Sequence, residues 1–195
     1  MPKFNEDEKI IIKNDLIEKG EKLFIKLGLK KVTVDDLVQE VGIAKGSFYA
    51  FYTNKEHLYV DILHRIQKEM WEKTKQFLQE HKQKDKKKLT TSYLSWAYDE
   101  IENYPMMLEQ NAGLIEYLFR KIPKDIMAQY PTDDTYTFFL LQDVGVQFKY
   151  DMQMLVEISH ALDVSVFTLR SQGAPEIYKQ VRTIFIEAVV NQVVE

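Results

Sequence analysis

Apolar residues recur along this chain at the spacing of an α-helix, and nowhere do they alternate as a strand would. Glycine and proline, seven and five among 195 residues, are too few to interrupt that periodicity often. Ile17, Gly20, Phe24 and Leu27 line one face of a first helix, which ends at Gly28. Thr33 then stands as an N-cap, with Asp35 and Asp36 in the first turn, where the helix dipole favours acids. The second helix is short, Val34 to about Val41, and Gly42 follows where a tight turn needs positive φ. A third short helix is expected from about Ala44 to Tyr52, with Thr53-Asn54 capping a fourth.

The fourth helix is long, about Lys55 to Glu80, and at 1.5 Å per residue spans roughly 39 Å. A charged break, 81–88, separates it from a helix over Leu89 to about Asn103. That helix is apolar on almost every side, which places it inside a bundle. Further helices are expected from Pro105 to about Arg120, in a short piece bracketed by Pro123 and Pro131, and from Asp133 to about Val144. Asp151 caps another, to about Ser171, and the Gly173–Pro175 break precedes a last one, Glu176 to about Val194. The expected architecture is all-α, about nine helices.

The absence of cysteine excludes a disulfide scaffold, a zinc finger, an iron–sulfur site and a thiol nucleophile. No apolar run reaches a membrane span, and the start MPKFNEDEK does not look like an export signal. The expectation is a cytoplasmic protein with no membrane partner. The net charge of −4 does not advertise a nucleic-acid partner. Its distribution says more: residues 1–60 balance ten lysines against ten acids, so the remainder carries the whole excess. None of the four arginines lies in the first 64 positions.

Helix, glycine turn, short helix is the helix-turn-helix arrangement, whose second helix enters the DNA major groove. The stretch T33-V-D-D-L-V-Q-E-V-G-I-A-K-G-S-F-Y-A-F-Y-T-N-K-E-H-L58 resembles the DNA-binding head of the tetracycline-repressor (TetR) family. The resemblance covers about residues 10–60; beyond it only the helix pattern agrees. It implies a three-helix DNA-binding head, residues 1–54, joined by the long helix to a ligand-binding and dimerisation body, residues 55–195.

Thr33, at a helix N-terminus, can offer its hydroxyl and backbone N–H to a phosphate. Lys45 opens the third helix, where its charge can meet phosphate or a guanine edge, and Gly46 lets the backbone come close to DNA. Ser47 can touch a base edge, Phe48 packs inward, and Tyr49 lies one turn after Lys45, within reach of a phosphate. Tyr52 closes the set within the motif, and Lys55 adds its ammonium to the positive end of the long helix as a phosphate clamp. Three positions depart from the family pattern: Val38 where a small residue is usual, Ala44 where a Ser or Thr cap is common, and Phe51 where His or Tyr is frequent. Without arginine in the head, the bidentate arginine–guanine contact is missing, so an operator of modest guanine demand is expected.

The resemblance also implies a homodimer through the last two helices, about 151–171 and 176–194. The residues support this independently, because both helices carry more apolar surface than one neighbour can cover. A ligand cavity in the body is implied too, with Tyr93, Trp96, Met107, Tyr117 and Phe139 as candidate contacts for a neutral or mildly cationic, apolar or aromatic effector. The resulting expectation is a repressor that an effector releases from a pseudo-palindromic operator by changing the tilt of the fourth helix. No cofactor is expected. His57, Asp61 and His64 share a helix face at metal-ligand spacing, but a solvated face explains them as well. No nucleophile elbow, phosphate loop or H-E-x-x-H motif points to an enzyme. The alternative is a small-molecule- or protein-binding module on the same fold without DNA binding.

Overall fold

The computed structural model describes residues 4–82, 85–109, 112–130, 134–172 and 175–195. Gln83 and Lys84 of the charged break, Pro131, Asp133 and the glycine of the 173–175 break lie outside them. The described residues form eleven α-helices and one 3-10 turn, with no strand. In order these are α1 (Glu6–Leu27), α2 (Val34–Val41), α3 (Lys45–Phe48), α4 (Lys55–His81) and α5 (Lys86–Glu100). The 3-10 turn Ile101–Asn103 leads to α6 (Pro105–Leu108), α7 (Ala112–Lys121), α8 (Lys124–Met127), α9 (Tyr136–Asp143), α10 (Met152–Gln172) and α11 (Pro175–Val193).

The chain forms two compact units. The first comprises Met1–Lys68 and Tyr104–Pro131, the second Glu69–Asn103 and Thr132–Glu195. In the first, α1 opens with a capping box in which Asn5 accepts from the Glu8 N–H and the Glu8 side chain accepts from the Asn5 N–H. Its inner face buries Leu16, Ile17 and Phe24. Gly20 lies between them for a steric reason: an added Cβ would meet Leu58 Cδ2 at 3.1 Å and Leu37 Cδ2 at 3.5 Å. The glycine therefore lets α1 approach α4 and α2 closely. Phe24 meets Tyr59 of α4 edge to face, 5.1 Å between centroids.

In the second unit, α5 is a central helix, as its all-round apolarity predicts. Leu89, Tyr93 and Tyr98 join Leu155, Leu162 and Val166 of α10 and Ile186 and Val190 of α11 in one core. Tyr98 donates to Asp163 at 2.6 Å, and Arg182, 4% exposed, reaches Asp99 at 2.8 Å. Phe148 and Val194 form an isolated antiparallel bridge that fastens the last residues of the described chain.

Three elements differ from the spacing-based expectation. The third helix keeps a helical core of only Lys45–Phe48, because Ala44 provides no side-chain cap and Tyr49 to Phe51 leave the helix in turns. The segment from Pro105 forms two helices; the first turn closes early, as Glu109 N–H turns back to the Pro105 and Met107 carbonyls. The charged break is shorter than its composition suggests: Asp85 caps α5 by accepting from Lys88 N–H, so Lys86 to Lys88 are already helical.

Candidate nucleic-acid interface

The α2–turn–α3 segment is built from local capping. Thr33 Oγ1 accepts from the Asp36 N–H at 3.2 Å and donates to the Asp36 carboxylate at 2.6 Å, while Thr33 N–H reaches the same carboxylate at 2.8 Å. These two bonds from Thr33 hold the Asp36 carboxyl below its ordinary pKa, with Lys55 adding a smaller push in the same direction. The first turn of α2 thus opens on an exposed threonine whose N–H, like that of Asp36, is satisfied within the capping box.

Gly42 takes φ 83°, ψ 32° and donates to Val38 O at 2.9 Å, while Ile43 N–H reaches the same carbonyl at 3.0 Å. Nothing lies within 4 Å of where a Cβ would sit, so the glycine is required by its backbone angle and not by space. After this turn, α3 presents two faces. Phe48 is fully buried against Tyr49 and Tyr52, and Ser47 is 6% exposed. Lys45, Gly46 and Tyr49 face solvent, Tyr49 with 53% of its surface. Lys45 and Tyr49 sit one turn apart, as the motif implies.

The cations of this region already have partners. Lys45 Nζ lies 2.9 Å from Asp35 Oδ2 of α2, and this hydrogen bond raises the pKa of the ammonium. Lys55 Nζ donates to three main-chain carbonyls of the α1–α2 connection: Leu29 O at 2.7 Å, Val32 O at 2.6 Å and Lys30 O at 3.2 Å. Tyr52, 2% exposed, donates to Asp61 at 2.7 Å, and Lys13 meets the same carboxylate at 3.2 Å. Burial first, and then Asp61, push the Tyr52 phenol far above its ordinary pKa.

The start of α4 is capped by Asn54, whose Oδ1 accepts from His57 N–H at 2.8 Å and whose Nδ2 donates to Lys121 O at 2.9 Å. The neighbouring buried Glu56 accepts from the Tyr117 hydroxyl at 2.7 Å. His57 Nδ1 accepts from Thr53 N–H at 3.3 Å, which leaves Nε2 to donate to the Tyr130 hydroxyl at 3.0 Å. The suspected metal-ligand face is therefore occupied by other bonds at His57 and Asp61. No group of three or more His, Cys, Asp or Glu residues among the described residues could hold a metal ion.

The aromatic effector candidates fall into both units. In the second, Tyr93 is buried and Trp96 stacks on Phe77 at 4.8 Å, with His81 stacked on Phe77's ring at 4.3 Å. Tyr93 and Trp96 are 6.0 Å apart, so this pair is brought together. Phe139 is 48% exposed and lines a separate open hollow with Lys75, Leu78, Tyr136 and Val144. Met107 and Tyr117 belong to the first unit. Sequence reasoning missed Asp35 as the partner of Lys45, the carbonyl cluster under Lys55 and the Phe77–His81 stack. Only the last had a signal, since residues four apart on a helix are neighbours.

Comparison with known proteins agrees with this geometry. Residues 16–62 match the family model described as bacterial regulatory proteins, tetR family. No curated protein matches the chain. Among solved structures, a TetR-family transcriptional regulator from Pectobacterium atrosepticum is similar at TM-score 0.63 and 16% identity, over 96% of this chain and 94% of that one. SmeT, the repressor of the Stenotrophomonas maltophilia multidrug efflux pump SmeDEF, gives TM-score 0.57 and 17% identity over 94% and 90%. The fatty acid degradation regulator FadR from Bacillus halodurans gives 0.58 and 12% over 96% of each. At these identities the likeness establishes the fold.

Proposed function

We propose that this chain, whose head is that of the tetR family and whose fold is TetR-like throughout, is a ligand-responsive DNA-binding transcriptional regulator that represses from a pseudo-palindromic operator. The carrying observation is the solvent-facing set of Lys45 and Gly46 on α3 and Tyr49 at its C-terminal cap, next to the Thr33-capped N-terminus of α2. Those side chains, together with Thr33, are the contacts we assign to DNA, with Ser47, Tyr52 and Lys55 supporting them from beneath. The DNA-binding domain is residues 1–54, and residues 55–195 serve effector binding and dimerisation, coupled through α4.

A homodimer through α10 and α11 fits the apolar residues these helices leave in solvent. Val164 is 68% exposed, Ile177 61%, Ile184 63% and Phe185 42%. A two-fold pair of heads matches half-sites about one DNA turn apart. An apolar or aromatic effector suits Tyr93, Trp96 and, at its own hollow, Phe139; Met107 and Tyr117 are candidates in the first unit. Among the described residues no helix is long and apolar enough to cross a membrane, and the cytoplasm is the compartment we assign.

The test is selection from random duplex DNA, followed by fluorescence anisotropy at two salt concentrations. We expect a pseudo-palindrome without contiguous guanines under the recognition helix, bound with a log–log salt slope of roughly −5 to −7 for about 6–8 phosphate contacts. A Lys45→Ala/Tyr49→Phe variant should lose that binding. Failure to enrich any duplex would sink this reading and leave a sensor that does not bind DNA.

A further inference from the structure

We infer that Lys55 is a positioning residue: its ammonium clamps the α1–α2 connection onto the first turn of α4, and its charge does not go to a DNA phosphate. This inference rests on the DNA-binding reading above. An ammonium has three N–H donors, and here three carbonyls converge on it at 2.6, 2.7 and 3.2 Å. The acceptors exist because α1 ends at Leu27 and Gly28, with φ 79°, turns the chain out of the helix. The Leu29, Lys30 and Val32 carbonyls are thereby released from any helical ladder. The buried side chains of Leu29 and Val32 fix the same loop from its other side. Two of these bonds, to Leu29 and Val32, are partly withdrawn from water, and turning outward to a phosphate would abandon all three carbonyls.

The position of the clamp gives it a function. Val32 O is the acceptor of its shortest bond, and Thr33, the N-cap of α2, is the next residue. The DNA-facing end of α2 is therefore tied through one peptide unit and one ammonium to the first turn of α4. A displacement of that turn carries Thr33 with it.

Three proteins distinguish this role from a phosphate contact: wild type, Lys55→Gln and Lys55→Arg. The probe is a fluorescein-labelled duplex selected from random DNA by the wild type, with anisotropy read across a salt series below each variant's melting temperature. An arginine keeps the charge, but its planar fork cannot aim three donors into three converging carbonyls. For a clamp, both variants bind about tenfold more weakly, with the salt slope of wild type. If Lys55 contacts phosphate, Lys55→Arg keeps its affinity and Lys55→Gln flattens the slope by about one per protomer; that pattern overturns the proposal. So does wild-type affinity in both variants.

Should the variants fail to fold, the wild type itself decides, by through-hydrogen-bond coupling from the Lys55 Nζ in nitrogen-labelled protein bound to the duplex. Coupling to carbonyl carbons supports the clamp, and coupling to phosphorus defeats it. If the wild type selects no duplex, the DNA reading fails and takes the positioning role with it. If it selects one and Lys55→Arg is silent, only the positioning role fails.

Discussion

The ammonium of Lys45 lies 2.9 Å from the carboxylate of Asp35, so the cation of α3 reaches solvent already paired to α2. Both side chains are more than half exposed, so the pair does little for stability. On the proposed DNA-binding reading its effect falls on DNA, where Asp35 would oppose phosphate and compete for Lys45. Asp35→Asn should tighten binding to random duplex DNA several-fold and steepen the salt slope by up to about one per protomer. Anisotropy against a non-operator duplex at two salt concentrations checks this, and unchanged binding would remove Asp35 from the interface.

Tyr52 acts through Asp61. Removing its hydroxyl in Tyr52→Phe takes a donor from a carboxylate whose side chain is only 14% exposed. A loss of about 1–3 kcal/mol is expected, since a nearly buried acceptor loses one donor and keeps only Lys13 and the Tyr130 hydroxyl. Urea denaturation measures it. Operator affinity of the folded variant should stay within about twofold, as a side chain beneath the surface predicts.

His57 and His64 make the first unit sensitive to mild acid. Burial is the main cause lowering both pKa values; Asp61 opposes it in each, while Lys13 assists at His57 and Lys68 at His64. The folded state therefore prefers the neutral rings, and the unfolded chain takes up protons first as pH falls. The stability is complete above the unfolded histidine value of about 6.5 and is lost as pH drops through the lower folded values. At His57 the proton would go to Nδ1, which accepts from Thr53 N–H. The urea midpoint should fall between about pH 7.5 and 5.5, and by less in His57→Gln.

Ile184, 63% exposed on α11, tests the proposed dimer. Ile184→Asp should leave a folded monomer with stability changed by at most about 0.5 kcal/mol. Operator affinity should fall about a hundredfold, because two linked heads no longer bind together. Sedimentation velocity and anisotropy on the same sample give both numbers. A variant that still sediments as a dimer would point to another interface.

What was legible in the sequence was local. Thr33 with Asp36, Gly42 and the inner face of α1 are decided by residues within one or two turns; the first two formed as their spacing implies, and the face buries Ile17, Gly20 and Phe24 but leaves Leu27, in its last turn, exposed. The all-helical fold follows from the same periodicity. Lys55 could be placed at a helix start, but its acceptors lie 23 to 26 residues earlier, and nothing in a lysine's type announces three carbonyls. Lys45 and Asp35 are ten residues apart, across the turn, where side-chain direction and not spacing decides the contact. The effector candidates rest on residue type and, for Tyr93 and Trp96, on a helix that is apolar on both sides. Type did not reveal that Tyr93 and Trp96 gather around Phe77 while Met107 and Tyr117 belong to the other unit.

Asn54 donates to the Lys121 carbonyl, Glu56 accepts from Tyr117 and His57 donates to Tyr130. The first turn of α4 is thus fastened by residues that arrive 61 to 73 positions later, inside the same compact unit. Anyone building a chimeric regulator from this protein inherits that arrangement. A graft cut after residue 54 would carry the recognition surface and leave its anchorage behind. A transplantable head has to bring residues 104–131 along, as a second piece of the same part.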